Sequence, residues 1–269
     1  MKIISISKKE EAAFLPLFSE FPGAEGEDTI KLGALSDELE VAGILAAQIL
    51  GYGAQITALY VLPEFRRKGY GKALLDKLTA LIHVEYIDAV QADFLYSDDA
   101  AGFFADEGFD LFYTGEQFCF TMGDLRRSKM YKKYLKGKTV KSVVCVSSLP
   151  PRAWERLYKE ADSAGYDPDY SSVSIEDGKV TSCVFAFLDG KDLSITKFAV
   201  YSANYMLLVY QLRQLARRVE ELHPGEDDIR VRMCFEDLDL AEGFIQLLGG
   251  RGHVESEGKV VSAIRLNTP

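Results

Sequence analysis

Between Val41 and Pro63 the chain carries no charged residue. A segment this apolar is driven out of water, since each Å² of hydrocarbon left exposed forfeits about 25 cal/mol. A stretch of about 20 apolar residues is long enough to span a bilayer. This one is interrupted by Gln48, Gly51, Tyr52, Gly53, Gln55 and Thr57, and no basic residue lies immediately beside either end. Its glycines mark a turn at the midpoint. Two buried strands joined by a hairpin meet the same constraint, and no membrane partner is expected.

With 269 residues, 48% hydrophobic and 27% charged, the chain has ample material for a packed core and enough length for two domains. Its net charge of −10 repels nucleic acid and anionic lipid and suits cationic partners. Cys119, Cys145, Cys183 and Cys234 form no CxxC pair, and His83, His223 and His253 lie far apart. Neither a metal site nor a disulfide framework is expected. The first residues are too short an apolar run for a secretory signal, so a reducing cytoplasm is the expected location.

Periodicity predicts a strand over 2–7 and a helix over 8–21 presenting Phe14, Leu17, Phe18 and Phe21. A meander of three strands follows, over 29–35, 39–50 and 54–62, ended by Pro63. A helix over 69–83, a strand over 87–95, a helix over 98–107 and two closing strands about Gly115 complete the order βαβββαβαββ. The second half repeats it, with a strand over 143–146, a helix over 151–164, hairpin turns at Asp177-Gly178 and Asp189-Gly190, a strand over 193–200, a helix over 205–222, a strand over 229–235 and a helix over 238–248. Val41, Ile56, Thr57 and Val61 find Val180, Ile195, Thr196 and Val200 at one offset. Ala100, Gly102, Phe103 and Gly108 find Ala241, Gly243, Phe244 and Gly249 at an offset two residues longer. Their shared order points to duplication. The fold class expected is α+β, a mixed sheet with helices in two tandem domains.

Charge divides unevenly: nine basic against 21 acidic residues over 1–125, seven against none over 126–138, and 15 against 20 thereafter. We therefore divide the chain into a domain over 1–125, a basic linker over 126–138 and a domain over 139–269. The linker reads as a helix that docks Met130, Tyr131, Tyr134 and Leu135 while its charges face acidic surfaces. A short isolated cluster gives little support to nucleic-acid binding.

Four of the nine basic residues of the first part, Arg66, Arg67, Lys68 and Lys72, fall within seven positions around Gly69 and Gly71, between a strand and an amphipathic helix. An anion belongs there, because the first N–H groups of a helix have no internal partner and glycine lets a ligand approach the backbone. A P-loop would need Gly at position 66 and Ser or Thr at 73, where Arg66 and Ala73 stand. A dinucleotide fingerprint would need Gly or Ala at Leu74.

The pattern Arg66-Arg67-Lys68-Gly69-Tyr70-Gly71, after the strand Ile56-Thr57-Ala58-Leu59-Tyr60-Val61, resembles the acyl-coenzyme A loop of the GNAT-type N-acetyltransferase superfamily. The run Ala100 to Phe109, with Phe103-Phe104 and Gly108-Phe109, is similar to that superfamily's fourth-helix motif. The resemblance covers roughly residues 1–125 and implies two tandem GNAT-like domains. In the second, only Tyr201 to Tyr205 separate strand from helix. The glycines and basic residues are gone, so that copy is expected to be degenerate, without a pyrophosphate loop.

The resemblance further implies an acetyl-CoA-dependent N-acetyltransferase acting on a small-molecule or peptide amine, with a non-catalytic acyl-CoA-binding or scaffolding protein as the alternative. Leu59, Tyr60, Val61, Arg66, Arg67, Lys68, Gly69, Tyr70, Gly71, Lys72 and Phe104 would bind the cofactor. A lysine-like acceptor of pKa about 10.4 costs roughly 4 to 5 kcal/mol to deprotonate at pH 7, and a peptide α-amine only about 1. Asp93 and Glu40 are candidate relays for that proton. The superfamily's usual tyrosine, which assists the leaving thiolate, is replaced by Phe104, leaving Tyr96, Ser97 or Tyr113 as substitutes. If the thiol resembles free cysteine, unassisted departure is opposed by only about 2 kcal/mol. Gly71→Glu is expected to weaken acetyl-CoA binding far more than substitution of Asn204, its rough counterpart, as measured by calorimetry.

Overall fold

The charge-free run folds as the hairpin that its glycines predict. In the computed structural model, which describes residues 1–7, 10–21, 29–83, 87–136, 142–150, 153, 157, 166–201, 206–250 and 253–266, strands β3 (Val41–Leu50) and β4 (Gly53–Val61) turn at Gly51, whose φ is 59°. Before them come β1 (Lys2–Ser5), α1 (Glu11–Phe18) and β2 (Thr29–Leu35). After them come α2 (Tyr70–His83), β5 (Ala89–Leu95), α3 (Asp98–Asp106) and β6 (Asp110–Thr121). The second half holds α4 (Met122–Arg127), β7 (Val143–Cys145), β8 (Ser172–Glu176), β9 (Lys179–Asp189), β10 (Asp192–Val200), α5 (Met206–Leu222), β11 (Arg230–Phe235), α6 (Leu238–Leu248) and β12 (Glu255–Leu266). No helix among the described residues is long and apolar enough to cross a membrane. Most of the helix expected over 151–164, and the stretch 202–205, lie outside the described residues.

Two compact units emerge. One is Met1–Thr114 with Val260–Pro269, the other Gly115–Lys259. In the first, β1 to β5 pair in sequence order and β12 pairs antiparallel with β5, from Val260↔Leu95 to Leu266↔Ala89. In the second, β6 pairs with β11, followed by β10, β9, β8 and β7. The strand after α3 thus joins the second unit, and the strand after α6 completes the first. The boundary therefore falls inside β6 and β12, where a cut by charge places it after residue 125. The long C-terminal strand has no counterpart in the periodicity reading. Gly115 is not a turn. It lies mid-strand, where a Cβ would come within 2.6 Å of the Phe235 carbonyl and 2.7 Å of Cys234 Sγ, so glycine there serves close strand approach.

The linker docks within the second unit. Arg126 bridges Glu220 and Asp227 at 2.5 Å each. Met130 is buried in that unit's core, with Tyr131 and Tyr134 packed against it, and Arg213 Nε donates to the Tyr134 carbonyl at 2.7 Å. Residues 137 and 138 lie outside the described residues.

In the first unit α2 buries Leu74, Leu75, Leu78 and Ile82 against one sheet face, while Phe14 and Phe18 of α1 cover Ile44, Ala46 and Ala58 on the other. A β-bulge in β4 decides which residues reach which face. Ala47 pairs with Ile56 and Ala46 with Ala58, leaving Thr57 as an extra residue. Ala54 and Ile56 lie under α2, and beyond the bulge Leu59 and Val61 do so, whereas Ala58 and Tyr60 join the α1 cluster. A regular strand would have put Ala58 and Tyr60 under α2.

The second unit repeats these devices. Ala186 pairs with Ile195 and Phe185 with Lys197, so Thr196 is the bulge residue. Four parallel pairs join β10 to β11, Asp192–Ile195 with Arg230–Met233, as four join β4 to β5, Gly53–Ile56 with Ala89–Ala92. The duplication read from scattered identities is therefore present in register.

Arg265, on the strand that arrives last, ties the first unit together. It donates to the Glu107 carbonyl at 2.9 Å and to Thr79 Oγ1 at 2.6 Å, with its guanidinium 4.7 Å from the centre of the Phe109 ring. Replacing Arg265 by Met should destabilise that unit by about 2 to 3 kcal/mol, from two charge-assisted bonds in a part-buried setting. Faster hydrogen exchange of the α2 and α3 amides would register it, while Leu266→Ala, exposed, should change little.

Candidate active site

Pro63 cannot donate to a ladder, so β4 stops and a tight turn over Pro63–Phe65 leads into the glycine loop. Arg67 has a φ of 58° and Gly69 of 84°. Left-handed residues this close turn successive N–H groups toward one point and form an anion-binding concavity. The Ala73 N–H donates to the Gly69 carbonyl at 3.0 Å, so α2 begins there. The N–H groups of Tyr70, Gly71 and Lys72 then have no acceptor in the helix. No acidic residue lies in the first turn, which leaves the positive end of the macrodipole unopposed.

The loop's cationic side chains are mostly engaged elsewhere. Arg66 Nε donates to the Val61 carbonyl at 3.0 Å and its guanidinium lies over Tyr60. Arg67 pairs with Asp99 at 3.1 Å. The Lys68 ammonium sits 5.6 Å from the centre of the Phe65 ring. Lys72 pairs with Glu107 at 2.7 Å and Asp76 at 3.6 Å. The Glu107 hydrogen bond, reinforced by Asp76, raises the Lys72 pKa. Backbone donors therefore dominate the concavity. The Tyr70 ring is buried, edge-on to Phe65, so Tyr70 contributes its N–H rather than its phenol.

Beyond Ile56 and Ala92 the parallel strands β4 and β5 have no further pairs. The Leu62 N–H donates to the Ala42 carbonyl at 2.9 Å. Such bonds recur at every second residue of an antiparallel pair, so Tyr60 also turns its N–H to β3. The N–H groups of Leu59 and Val61 point the other way, into the opening that β5 has left. Of the three residues that the resemblance assigns to β4, two therefore present donors there. Among the described residues the buried Thr57 Oγ1 beside them has no hydrogen-bond partner.

Phe104 is not a wall of that opening. Its ring is buried, stacked on Phe94 at 5.1 Å and edge-on to Phe103 and Phe109 at 5.3 and 5.1 Å. Phe103 lies against the loop, 3.2 Å from where a Cβ on Gly71 would be. Any side chain at position 71 would press on Phe103, so Gly71→Glu perturbs packing along with charge, and its comparison position, Asn204, lies outside the described residues.

Asp93 is exposed on β5, the first residue past the last pair with β4. It accepts from Gln55 Nε2 at 3.2 Å and from Gln91 Nε2 at 3.2 and 3.3 Å. Tyr96 is half exposed, and its hydroxyl donates to Asp98 at 3.0 Å. That bond raises its pKa, keeping the phenol protonated. Ser97 is the N-cap of α3, accepting from the Ala100 N–H at 3.3 Å, a structural use of its oxygen. Glu40 is exposed in the turn before β3, where its carbonyl accepts from the Ser36 N–H. Tyr113 is half exposed on β6. Sequence reading missed the bulge, whose only trace was the shared Ile-Thr of the two copies, and the glutamines, which carry no motif.

Residues 32–111 match the family model described as Acetyltransferase (GNAT) domain. Among solved structures, a tandem GNAT protein from the clavulanic acid biosynthesis pathway superposes with a TM-score of 0.68 at 14% identity, covering 100% of this chain and 99% of that one. A GCN5-related N-acetyltransferase from Sphaerobacter thermophilus gives 0.58 at 13% identity, over 89% and 81%. The GCN5-related glucosamine N-acetyltransferase region of a fungal multi-domain β-N-acetylglucosaminidase gives 0.65 at 11%, over 98% of this chain and 38% of that one. Comparison with curated proteins gives no match. The fold is that of a tandem GNAT protein, and the stretch that matches the GNAT domain model, residues 32–111, contains the glycine loop and the Gly108-Phe109 motif.

Arg67 tests the loop geometry. A non-glycine residue in the left-handed region is strained by about 1 to 2 kcal/mol, and glycine's entropy returns roughly half of that. Arg67→Gly should therefore leave stability within about 1 kcal/mol of the parent, on the favourable side, by urea denaturation. Gly69→Ala should lower it.

Proposed function

We propose that this chain transfers the acetyl group of acetyl-CoA to a primary amine, with the site in its N-terminal half. The observation that carries the reading is the parting of β4 from β5, which turns the Leu59 and Val61 N–H groups toward the same end of the sheet as the first turn of α2. The residues present suit a diphosphate ester with an extended thioester arm. A backbone concavity shaped by left-handed Arg67 and Gly69, open where a Cβ on Gly69 would stand, suits the diphosphate, and an unpaired strand edge suits a chain that hydrogen-bonds like a peptide.

Bound there, acetyl-CoA would supply an acyl carbon activated by a thiolate leaving group. The Leu59 and Val61 N–H groups are fixed donors where an oxyanion would develop, worth roughly 10²- to 10³-fold in rate for one such donor. Tyr96 is the hydroxyl we assign to the departing thiolate. Its proton points at Asp98, so it has to rotate from Asp98 to serve. Phe104, closed into the aromatic core, offers no substitute.

Thiol release from acetyl-CoA in the presence of a panel of primary amines tests the reading, with calorimetric binding of acetyl-CoA alongside. Release with a matching acetylated amine is the expected result; tight binding with no release across the panel would favour an acyl-CoA-binding scaffold. Lys68→Glu should weaken acetyl-CoA binding about tenfold or more, since it sets a carboxylate beside the phosphates without disturbing the core. Tyr96→Phe should lower kcat about tenfold or more at unchanged acetyl-CoA affinity. An unchanged kcat would assign departure to the unassisted thiolate.

A further inference from the structure

Asp93 stands at the fork where β4 and β5 part, on the sheet face opposite α2, since its neighbours Ala92 and Phe94 belong to the α2 side. Other carboxylates of this unit hold cations: Glu11 takes Lys31 at 2.7 Å, Asp99 takes Arg67 and Glu107 takes Lys72. Among the described residues Asp93 has no cation. Two amides, from Gln55 and Gln91, donate three hydrogen bonds to it. Amide donors orient a carboxylate without cancelling its charge, and a carboxylate offers about four acceptor positions, so capacity remains for a further donor. Leu95, two residues on and on the same face, is 40% exposed and gives the charge an apolar flank.

The second copy supplies an internal control. It keeps the threonine bulge and the four parallel pairs, yet Ser194, Arg232 and Cys234 occupy the register positions of Gln55, Gln91 and Asp93. The fold therefore does not require the Gln-Gln-Asp set. It occurs only in the copy with the glycine loop.

We propose that Asp93, held by Gln55 and Gln91, is the acceptor subsite, binding the ammonium form of a primary amine whose apolar body lies along Leu95. The proposal rests on the acetyl-transfer reading above and adds to it the residues that select the acceptor, its charged form and the apolar flank that its body meets. An ammonium brings N–H donors and no acceptor, which complements a fixed carboxylate with spare lone pairs. Asp93 touches the acceptor, and the glutamines act through Asp93 as positioning residues.

Phenethylamine and its neutral isostere 2-phenylethanol, titrated by NMR into the full chain loaded with CoA, separate charge recognition from shape. We expect the amine to bind at least tenfold tighter, shifting the Gln55, Gln91 and Leu95 resonances. Asp93→Asn should abolish that preference without changing CoA affinity by calorimetry. Gln55→Leu with Gln91→Leu should reduce the preference at least threefold and raise KM for phenethylamine with kcat within twofold, a split that simple destabilisation would not give. Equal binding of amine and alcohol, or a preference that survives Asp93→Asn, would overturn the subsite. Failure of CoA itself to bind would instead overturn the acetyl-transfer reading and the subsite with it.

Discussion

Everything in the candidate site depends on one interruption of regular hydrogen bonding. Parallel strands normally pair along their whole length, and β4 and β5 stop after four residues. The extra Thr57 in β4 exchanges which residues face α2, so that Leu59 and Val61 carry the hydrophobic face while their N–H groups are left without a strand partner. Unpaired backbone donors are costly to bury and persist where a ligand or water can satisfy them. The aromatic packing of Phe94, Phe103, Phe104 and Phe109 then seats α3 beside the loop, and Phe103 fills the space that a side chain at position 71 would need.

Much of this was legible in the sequence, for reasons that differ by element. The hairpin of β3 and β4 could be read because a charge-free run with glycines at its centre has few other soluble solutions. Helix α2 could be read because Leu74, Leu78 and Ile82 recur with helical period, and the loop because its chemistry is concentrated in a few adjacent residues. Homologous position sets Phe104 on the cofactor side, and nothing local in the sequence shows that its ring stacks among Phe94, Phe103 and Phe109, where an all-carbon ring gains more than from a polar cleft. The destination of β12 was illegible because strand pairing across more than 150 residues leaves no local trace. The same holds for Asp93, whose partner Gln55 acquires meaning only when β4 and β5 lie side by side.

The two copies also separate what the architecture demands from what the chemistry demands. Threonine at the bulge and the four-pair register are kept in both, so they are the means of parting two strands. The glycines at 69 and 71 and the basic run around them belong to the first copy alone, so the architecture shared by the two copies does not require them. Loss of the loop in the second copy shortens the strand-to-helix connection without altering the sheet, in keeping with the tolerance of surface connections to deletion.

The reciprocal placement of β6 and β12 has a consequence for how the protein is made. The N-terminal sheet exposes the open edge of β5 until residues 260–266 leave the ribosome. At about 5 to 20 residues per second, synthesis of the intervening chain takes on the order of 10 s. Throughout that interval an unpaired edge beside a nearly finished apolar layer is a template for adventitious strand addition. Translation speed through the second half, and chaperone cover for a nascent chain of this kind, therefore bear on the yield of a candidate site whose residues all lie in the first half.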